Sequence, residues 1–238
     1  MKFLFPVLLL AAFVFARGEK PFVSDSVTVR VGDFESPSAV WHREKVKRPQ
    51  VFVWFHGGMQ SSKCAKGYEA GAALVPFLSE ASKEGVVLSV SACRDNHWLS
   101  SGPLLAVDRM LDSVEARLGL KIDTVSLAGV SDGGLGVVGY TLYGKREVRS
   151  RLLVSTNLAS VSDAENLSKD PRVRLGTWLF LQGGADRLYP SDRTVPWMEA
   201  FCRSLGRKTC KLRFDEKGEH DWSWWTLHRK AWIGEFLR

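Results

Sequence analysis

Asp123-Thr-Val-Ser-Leu-Ala-Gly-Val-Ser-Asp-Gly-Gly134 is the stretch on which the fold turns. Its first part, Thr124 to Val130, is apolar and β-favouring, as a buried strand requires, and the residues beyond it, Leu135 to Tyr143, suit a helix. Between the two, Ser131 stands inside Gly-x-Ser-x-Gly, where Gly129 and Gly133 keep the turn uncrowded. A sharp strand-to-helix turn lifts a serine hydroxyl clear of its neighbours. A nucleophile needs that exposure before a base can take its proton.

Outward from this turn the alternation repeats. Strands are predicted over Ser26–Val31, Val51–Phe55, Gly85–Ser91, Arg151–Ser155, Thr177–Gln182 and Lys211–Phe214. Helices are predicted over Tyr68–Lys83, along the face Leu104, Val107, Leu111, Val114 and Leu118 with a stop at Gly119, over Thr194–Leu205, and at the C-terminus. Alternating strands and helices imply an α/β protein with a mainly parallel sheet covered on both faces, because each parallel crossover must return along the outside. The segment Asn157 to Arg174 lacks periodicity and reads as a short substrate-facing loop or cap. Little or no lid domain is expected, which leaves a compact, open site.

The chain has 238 residues, 45% hydrophobic and 25% charged, enough for one catalytic domain with a substantial core. Met1-Lys2 and the apolar run Phe3 to Phe15 are too short to span a bilayer, and Val14-Phe15-Ala16 suits signal peptidase. Residues 1–16 therefore read as a signal peptide and 17–238 as the exported domain, periplasmic or secreted, without stable membrane insertion. The four cysteines form an even set, and in an oxidising compartment the expected pairs are Cys64–Cys93 and Cys202–Cys210. No zinc-like spacing occurs, and neither metal nor organic cofactor is expected. The net charge of +7 is scattered. Its one dense stretch, His42-Arg-Glu-Lys-Val-Lys-Arg48, reads as a solvated hairpin or loop rather than a nucleic-acid arm, with anionic envelope polymers left as a possible attraction.

In a parallel sheet the loops at the carboxyl ends of the strands converge at one edge, and several polar residues fall there. His56-Gly-Gly-Met59 follows a strand, and Gly58 or Met59 is expected to donate one N–H to a developing oxyanion; the N–H of Asp132, next after Ser131, is the second expected donor. Of five histidines, His220 is the candidate base, since it follows Ser131 in a loop near the C-terminus. His228 opens the final helix, while His42 and His97 precede Ser131. Asp186, directly after the strand and two glycines, is the candidate acid that would fix the tautomer of His220, with Asp192 as the alternative. His56, Trp98 and Trp222 are candidate substrate contacts, by stacking on sugars or phenolic groups for the tryptophans, whereas Trp224, Trp225 and Trp232 read as packing residues.

The order Ser131, Asp186, His220, preceded by His56-Gly-Gly, resembles the α/β-hydrolase superfamily over nearly all of the mature chain. Gly183-Gly-Ala-Asp-Arg-Leu-Tyr-Pro190 is similar to the acid loop of small esterases. His220-Asp-Trp with Trp224 and Trp225 looks like the histidine loop of the esterase D, feruloyl esterase and mycolyltransferase group, with polyhydroxybutyrate depolymerases close in layout. The resemblance implies a three-layer fold and acyl transfer from a small-molecule or polysaccharide-linked ester to Ser131, followed by hydrolysis. A serine peptidase of the same fold and a catalytically silent envelope binding protein are the competing expectations. Asp132 departs from the pattern, since those relatives more often carry an uncharged residue there. A carboxylate beside an oxyanion opposes catalysis unless it points away, is protonated or meets a cation, for which Arg94 and Arg187 are the candidates.

Overall fold

The computed structural model describes residues 21–58, 60–81 and 84–237, so the leader expected over residues 1–16 lies outside the described residues. Eight strands form one sheet in the order β1-β2-β4-β3-β5-β6-β7-β8. They are β1 (Phe22–Val31), β2 (Phe34–Arg43), β3 (Gln50–Phe55), β4 (Gly85–Ser89), β5 (Thr124–Val130), β6 (Glu147–Val154), β7 (Thr177–Gly183) and β8 (Cys210–Asp215). β1 and β2 run antiparallel at one edge, β2 is antiparallel to β4 as well, and the pairings from β4 through β3, β5, β6 and β7 to β8 are parallel.

Alternation along the strands divides the core in two. In β3, Val51, Val53 and Phe55 face one helical layer while Phe52 and Trp54 face the other; in β7, Trp178 and Phe180 oppose Leu179 and Leu181 in the same way. The first layer contains α3 (Ser101–Leu118), α4 (Gly133–Tyr143), α5 (Ala164–Ser168), α6 (Pro171–Arg174) and α7 (Ser191–Leu205). The second contains α1 (Gly67–Ala70), a following 3-10 turn, α2 (Val75–Glu80), α8 (Trp222–His228) and α9 (Lys230–Phe236). Among the described residues no helix is long and apolar enough to cross a membrane.

Three features differ from the sequence reading. Strand β2 has no clean alternation because Ser36-Pro37-Ser38 interrupts it, and Pro37 cannot donate to a ladder. The structure keeps this segment in the sheet by other means: the buried Ser36 hydroxyl donates to the Ser91 carbonyl and accepts from the Ser91 N–H, and Ser91 Oγ donates to the Pro37 carbonyl. His42 thereby lies within β2, which ends at Arg43, and is buried, with Nε2 3.3 Å from Asp25 Oδ2, so only the part of the basic stretch beyond Arg43 is loop. The helix expected over Tyr68–Lys83 is broken into α1, the 3-10 turn and α2, which restarts with Pro76 in its first turn, where a missing N–H does no harm. Finally, the segment 157–174 is partly helical, and α5 packs against α7.

Both disulfides form: Cys64–Cys93 ties the loop after β3 to the loop after β4, and Cys202–Cys210 ties the end of α7 to β8. The turn from β5 into α4 is the tightest point of the fold. A Cβ on Gly133 would lie 2.0 Å from the Phe55 carbonyl oxygen, and one on Gly134 would lie 1.9 Å from Thr156 Oγ1. Gly133→Ala is therefore expected to destabilise the protein by about 3 kcal/mol or more, since backbone must move. Gly234→Ala in α9, where no atom lies within 4 Å of the added carbon, should stabilise by about 0.5–1 kcal/mol. Urea midpoints of the two variants measure both effects, and equal midpoints would contradict this picture of the turn.

Candidate active site

Ser131 directly follows β5 with φ 56°, the left-handed conformation that a non-glycine residue adopts at a cost of about 1–2 kcal/mol. The surroundings enforce it. The Ser131 N–H donates to the Val154 carbonyl at 2.9 Å, and its own carbonyl accepts from the Gly134 N–H and from Thr156 Oγ1, each at 3.0 Å. Gly57, on the loop after β3, lies against it, so that a Cβ there would stand 3.0 Å from Ser131 Cβ and 3.6 Å from its Oγ. Loop and turn are thus in contact at the carboxyl edge of neighbouring strands.

Asp186 follows β7 in a buried position and gathers hydrogen bonds. It accepts from the N–H groups of Leu188 and Tyr189 at 2.9 and 2.8 Å, and both its oxygens lie 3.0 Å from His220 Nδ1. Burial works to raise its pKa, but the hydrogen bonds from His220, Tyr189 and Leu188 and the charge of His220 outweigh it and leave the carboxyl below its ordinary value. A carboxylate so held orients the imidazole with Nδ1 as donor.

The loop carrying His220 is fixed against the Asp186 loop by direct backbone approach. A Cβ on Gly183 would meet the Gly218 carbonyl oxygen at 2.0 Å, and the Ala185 N–H donates to that same carbonyl at 3.0 Å. The next carbonyl, of Glu219, accepts from Trp225 Nε1 at 2.9 Å and from Ser155 Oγ at 3.3 Å. Ser155, at the end of β6, is the second non-glycine residue with positive φ, 49°. Strain at β5 and β6 is thereby spent on the two ends of the candidate site.

Tyr189 joins the pieces, and sequence reasoning missed it. Its ring meets that of His220 edge-on, with centroids 5.1 Å apart, while its hydroxyl donates to Asp132 Oδ1 at 2.7 Å. Burial, then the hydrogen bond and charge of Asp132, push its pKa up to about 12, with a hydrogen bond from the Ser131 side chain acting the other way. One side chain therefore touches the surroundings of Ser131, Asp132 and His220 together. Its only signal in the sequence is its place in the acid loop, one residue before Pro190.

The remaining candidates fall in different places. His56 is buried: its Nδ1 donates to the Gly57 carbonyl at 2.9 Å and its Nε2 accepts the Ala92 N–H at 3.0 Å, which leaves neither nitrogen for a substrate. Trp98 has no exposed surface, and its indole N–H donates to the His56 carbonyl at 3.0 Å. It belongs to the wall of an apolar cavity of about 590 Å³ between α3 and α4, which none of Ser131, Asp186 and His220 borders. Trp222 packs edge-on against Trp54 and Phe77 in the second core, at 4.9 and 5.8 Å. His56 and Trp222 thus make framework contacts, and Trp98 faces a cavity apart from Ser131, Asp186 and His220. Gly58 has φ +67° and lies in the loop beside Ser131; Met59 lies outside the described residues. Asp192 is in the first turn of α7, and His228 stacks on Trp224 at 4.6 Å, exposed. Arg94, a candidate partner for Asp132, donates through Nε to the Gln60 carbonyl at 3.3 Å, and it is the Lys66 ammonium that interacts with the charge of Asp132.

A cavity of about 510 Å³ opens beside His220, lined by Ala185, Arg187, Leu188, Glu219 and Asp221. Among the described residues no cluster of three or more His, Cys, Asp or Glu side chains is arranged to hold a metal ion. The arrangement holds an imidazole with Nδ1 tied to a carboxylate, and Tyr189, whose ring meets that imidazole, donates its hydroxyl to the residue that follows Ser131.

No family model and no curated protein matches the chain. Solved structures do. The chain is similar to a ferulic acid esterase (TM-score 0.69, 15% identity, covering 92% of this chain and 98% of that one). It is likewise similar to a thermostable esterase (TM-score 0.67, 15% identity, 91% of this chain and 62% of that one). An acylaminoacyl peptidase of Pyrococcus horikoshii gives TM-score 0.66 at 13% identity, over 92% of this chain but only 41% of that one. The protein has the α/β-hydrolase fold, and it spans 62% and 41% of the length of the last two structures.

The burial of His56 makes stability depend on pH. Desolvation is the main cause, and it lowers the pKa from 6.5 to about 4. The unfolded chain therefore takes up this proton at a higher pH than the folded one, so the contribution is fully present above pH 6.5 and is lost as pH falls toward 4, to the extent of at most about 3 kcal/mol. The lowered pKa of Asp186 adds a loss only below the ordinary carboxylate range. Urea unfolding of the wild type between pH 7.5 and 4.5 should show the decline, and His56→Gln should flatten it; a wild type equally stable across that range would contradict the assignment.

Proposed function

We propose that the protein is an exported serine hydrolase that cleaves carboxylic esters, with Ser131 as nucleophile, His220 as general base and Asp186 as the acid that orients it. The observation that carries this reading is the Asp186–His220 pair at 3.0 Å, joined through Tyr189 to a serine held in a strained strand-to-helix turn. In the first half of the reaction His220 takes the Ser131 proton as Oγ attacks the ester carbonyl; the imidazolium then protonates the leaving alcohol, and an acyl-enzyme remains. In the second half a water molecule, deprotonated by the same imidazole, releases the acid and restores Ser131. The N–H groups of Gly58 and Asp132 are the proposed oxyanion donors. Export rests on the leader read in residues 1–16 and accords with two disulfides.

Ester rather than peptide substrates are favoured by likeness to esterases of which this chain covers nearly the whole length. The acylaminoacyl peptidases, by contrast, are covered to 41% and 40%. Purified protein should hydrolyse p-nitrophenyl acetate far faster than a peptide p-nitroanilide. Ser131→Ala and His220→Ala should each lower kcat by about a thousandfold or more, whereas His228→Ala should leave it within about twofold. Equal turnover in all three variants would end the hydrolase reading, and a preference for the anilide would replace esterase by peptidase.

A further inference from the structure

We propose that Lys66 is a positioning residue of the oxyanion site: its ammonium holds the carbonyls of Gly57 and Gly58 and thereby aims the Gly58 N–H at the oxygen that gains charge on attack by Ser131. The inference rests on the hydrolase reading above and deepens it.

The geometry is direct. Lys66 Nζ donates to the Gly58 carbonyl at 2.8 Å and to the Gly57 carbonyl at 3.2 Å. The Gly57 carbonyl accepts from His56 Nδ1 as well, at 2.9 Å. In a planar trans peptide the carbonyl and the following N–H point in opposite directions, so two donors on the Gly57 oxygen turn the Gly58 N–H to the far side of the peptide. Gly57, whose carbonyl begins this peptide, lies against Ser131, since a Cβ placed on Gly57 would stand 3.6 Å from Ser131 Oγ. The left-handed φ of Gly58, +67°, sustains the bend, and a Cβ there would stand 2.7 Å from Lys66 Nζ. Lysine and glycine thus fit together as a pair.

Lys66 is itself held in place from both sides. Two residues before it Cys64 is bonded to Cys93, and directly after it the Gly67 N–H donates to Ser91 Oγ at 2.8 Å. Gly67 is wedged against the backbone, where a Cβ would meet the Pro37 carbonyl oxygen at 2.3 Å. A side chain anchored so firmly at its root can impose a direction on a flexible glycine loop, and such preorganisation is what gives oxyanion donors their effect.

A second consequence concerns Asp132. Its carboxylate, one residue from the nucleophile, accepts the Tyr189 hydroxyl and lies within the electrostatic reach of Lys66. The cation therefore offsets the negative charge that would otherwise oppose an oxyanion forming nearby. Burial lowers the pKa of Lys66, and the charge of Asp132 acts against that lowering. Loop position and charge balance both run through one ammonium group.

The test compares Lys66→Met and Lys66→Gln with the wild type on p-nitrophenyl acetate, with circular dichroism melting as the check on folding. Losing a whole oxyanion donor costs about 10²–10³ in kcat, so loosening one should cost about 10- to 100-fold, with KM changed by less than about threefold. Affinity for an aryl trifluoromethyl ketone, which captures Ser131 as a charged tetrahedral adduct, should fall in parallel, and Lys66→Arg should recover most of both losses. A folded Met variant with wild-type kcat overturns the proposal. So does a variant that loses activity through KM with ketone affinity unchanged. Should the Met variant fail to fold, Lys66→Gln, which keeps a donor and drops the charge, is judged by the same two outcomes. Fluorophosphonate labelling of the wild type separates the two levels: a protein unlabelled at Ser131 and inactive removes the hydrolase reading itself, whereas a labelled, active protein indifferent to Lys66 removes only this inference.

Discussion

The left-handed backbone of Ser131 is the constraint from which the rest of the site follows. Holding a serine at φ 56° between β5 and α4 brings Gly133 to within contact of the Phe55 carbonyl and Gly134 to Thr156, so neither position can carry a side chain. It also brings the end of β3 beside the end of β5, which is how the His56-Gly57-Gly58 loop comes to lie on the serine. The local cost of about 1–2 kcal/mol is offset by the ladder on both sides of β5 and by two hydrogen bonds to the Ser131 carbonyl. Strain of this kind persists only where neighbouring structure overdetermines it.

From that fixed point the other loops are placed by close backbone approach together with a few side chains. Gly183 and Gly218 approach so closely that the acid loop and the histidine loop are packed backbone to backbone, and Trp225 with Ser155 fastens the histidine loop to the end of β6. Tyr189 then spans the remaining gap, with its backbone on Asp186, its ring on His220 and its hydroxyl on Asp132. The carboxylate beside the serine is hydrogen-bonded by Tyr189 and lies within the electrostatic reach of Lys66.

Much of this was legible in the chain because strands carry their own signals. Continuous apolar runs located β3, β4, β5 and β7, and the order of Ser131, Asp186 and His220 along the chain, each at a strand's carboxyl end, is enough to let a parallel sheet bring them to one edge. What was not legible depends on long-range contact. Strand β2 hides behind Ser36-Pro37-Ser38 because that segment is held by its ladder to β1 and by the Ser36 side chain bonding to Ser91, 55 residues away. Lys66 and Tyr189 have no periodicity or spacing that marks them, and their meaning comes only from what folding puts opposite them. Trp98 and Trp222 lie near motifs in sequence, yet Trp98 is buried beside a separate cavity and Trp222 is half-buried against Trp54 and Phe77.

The central claim is that Ser131 becomes acylated. Mixing the protein with p-nitrophenyl acetate, quenching in acid within milliseconds and mapping the peptides by mass spectrometry measures this most directly. The account predicts one acetyl group on the peptide that contains Ser131, formed at the rate of the p-nitrophenol burst and absent after Ser131→Ala. Acetyl on surface lysines alone, or hydrolysis with no acyl group on Ser131 at any quench time, would contradict it.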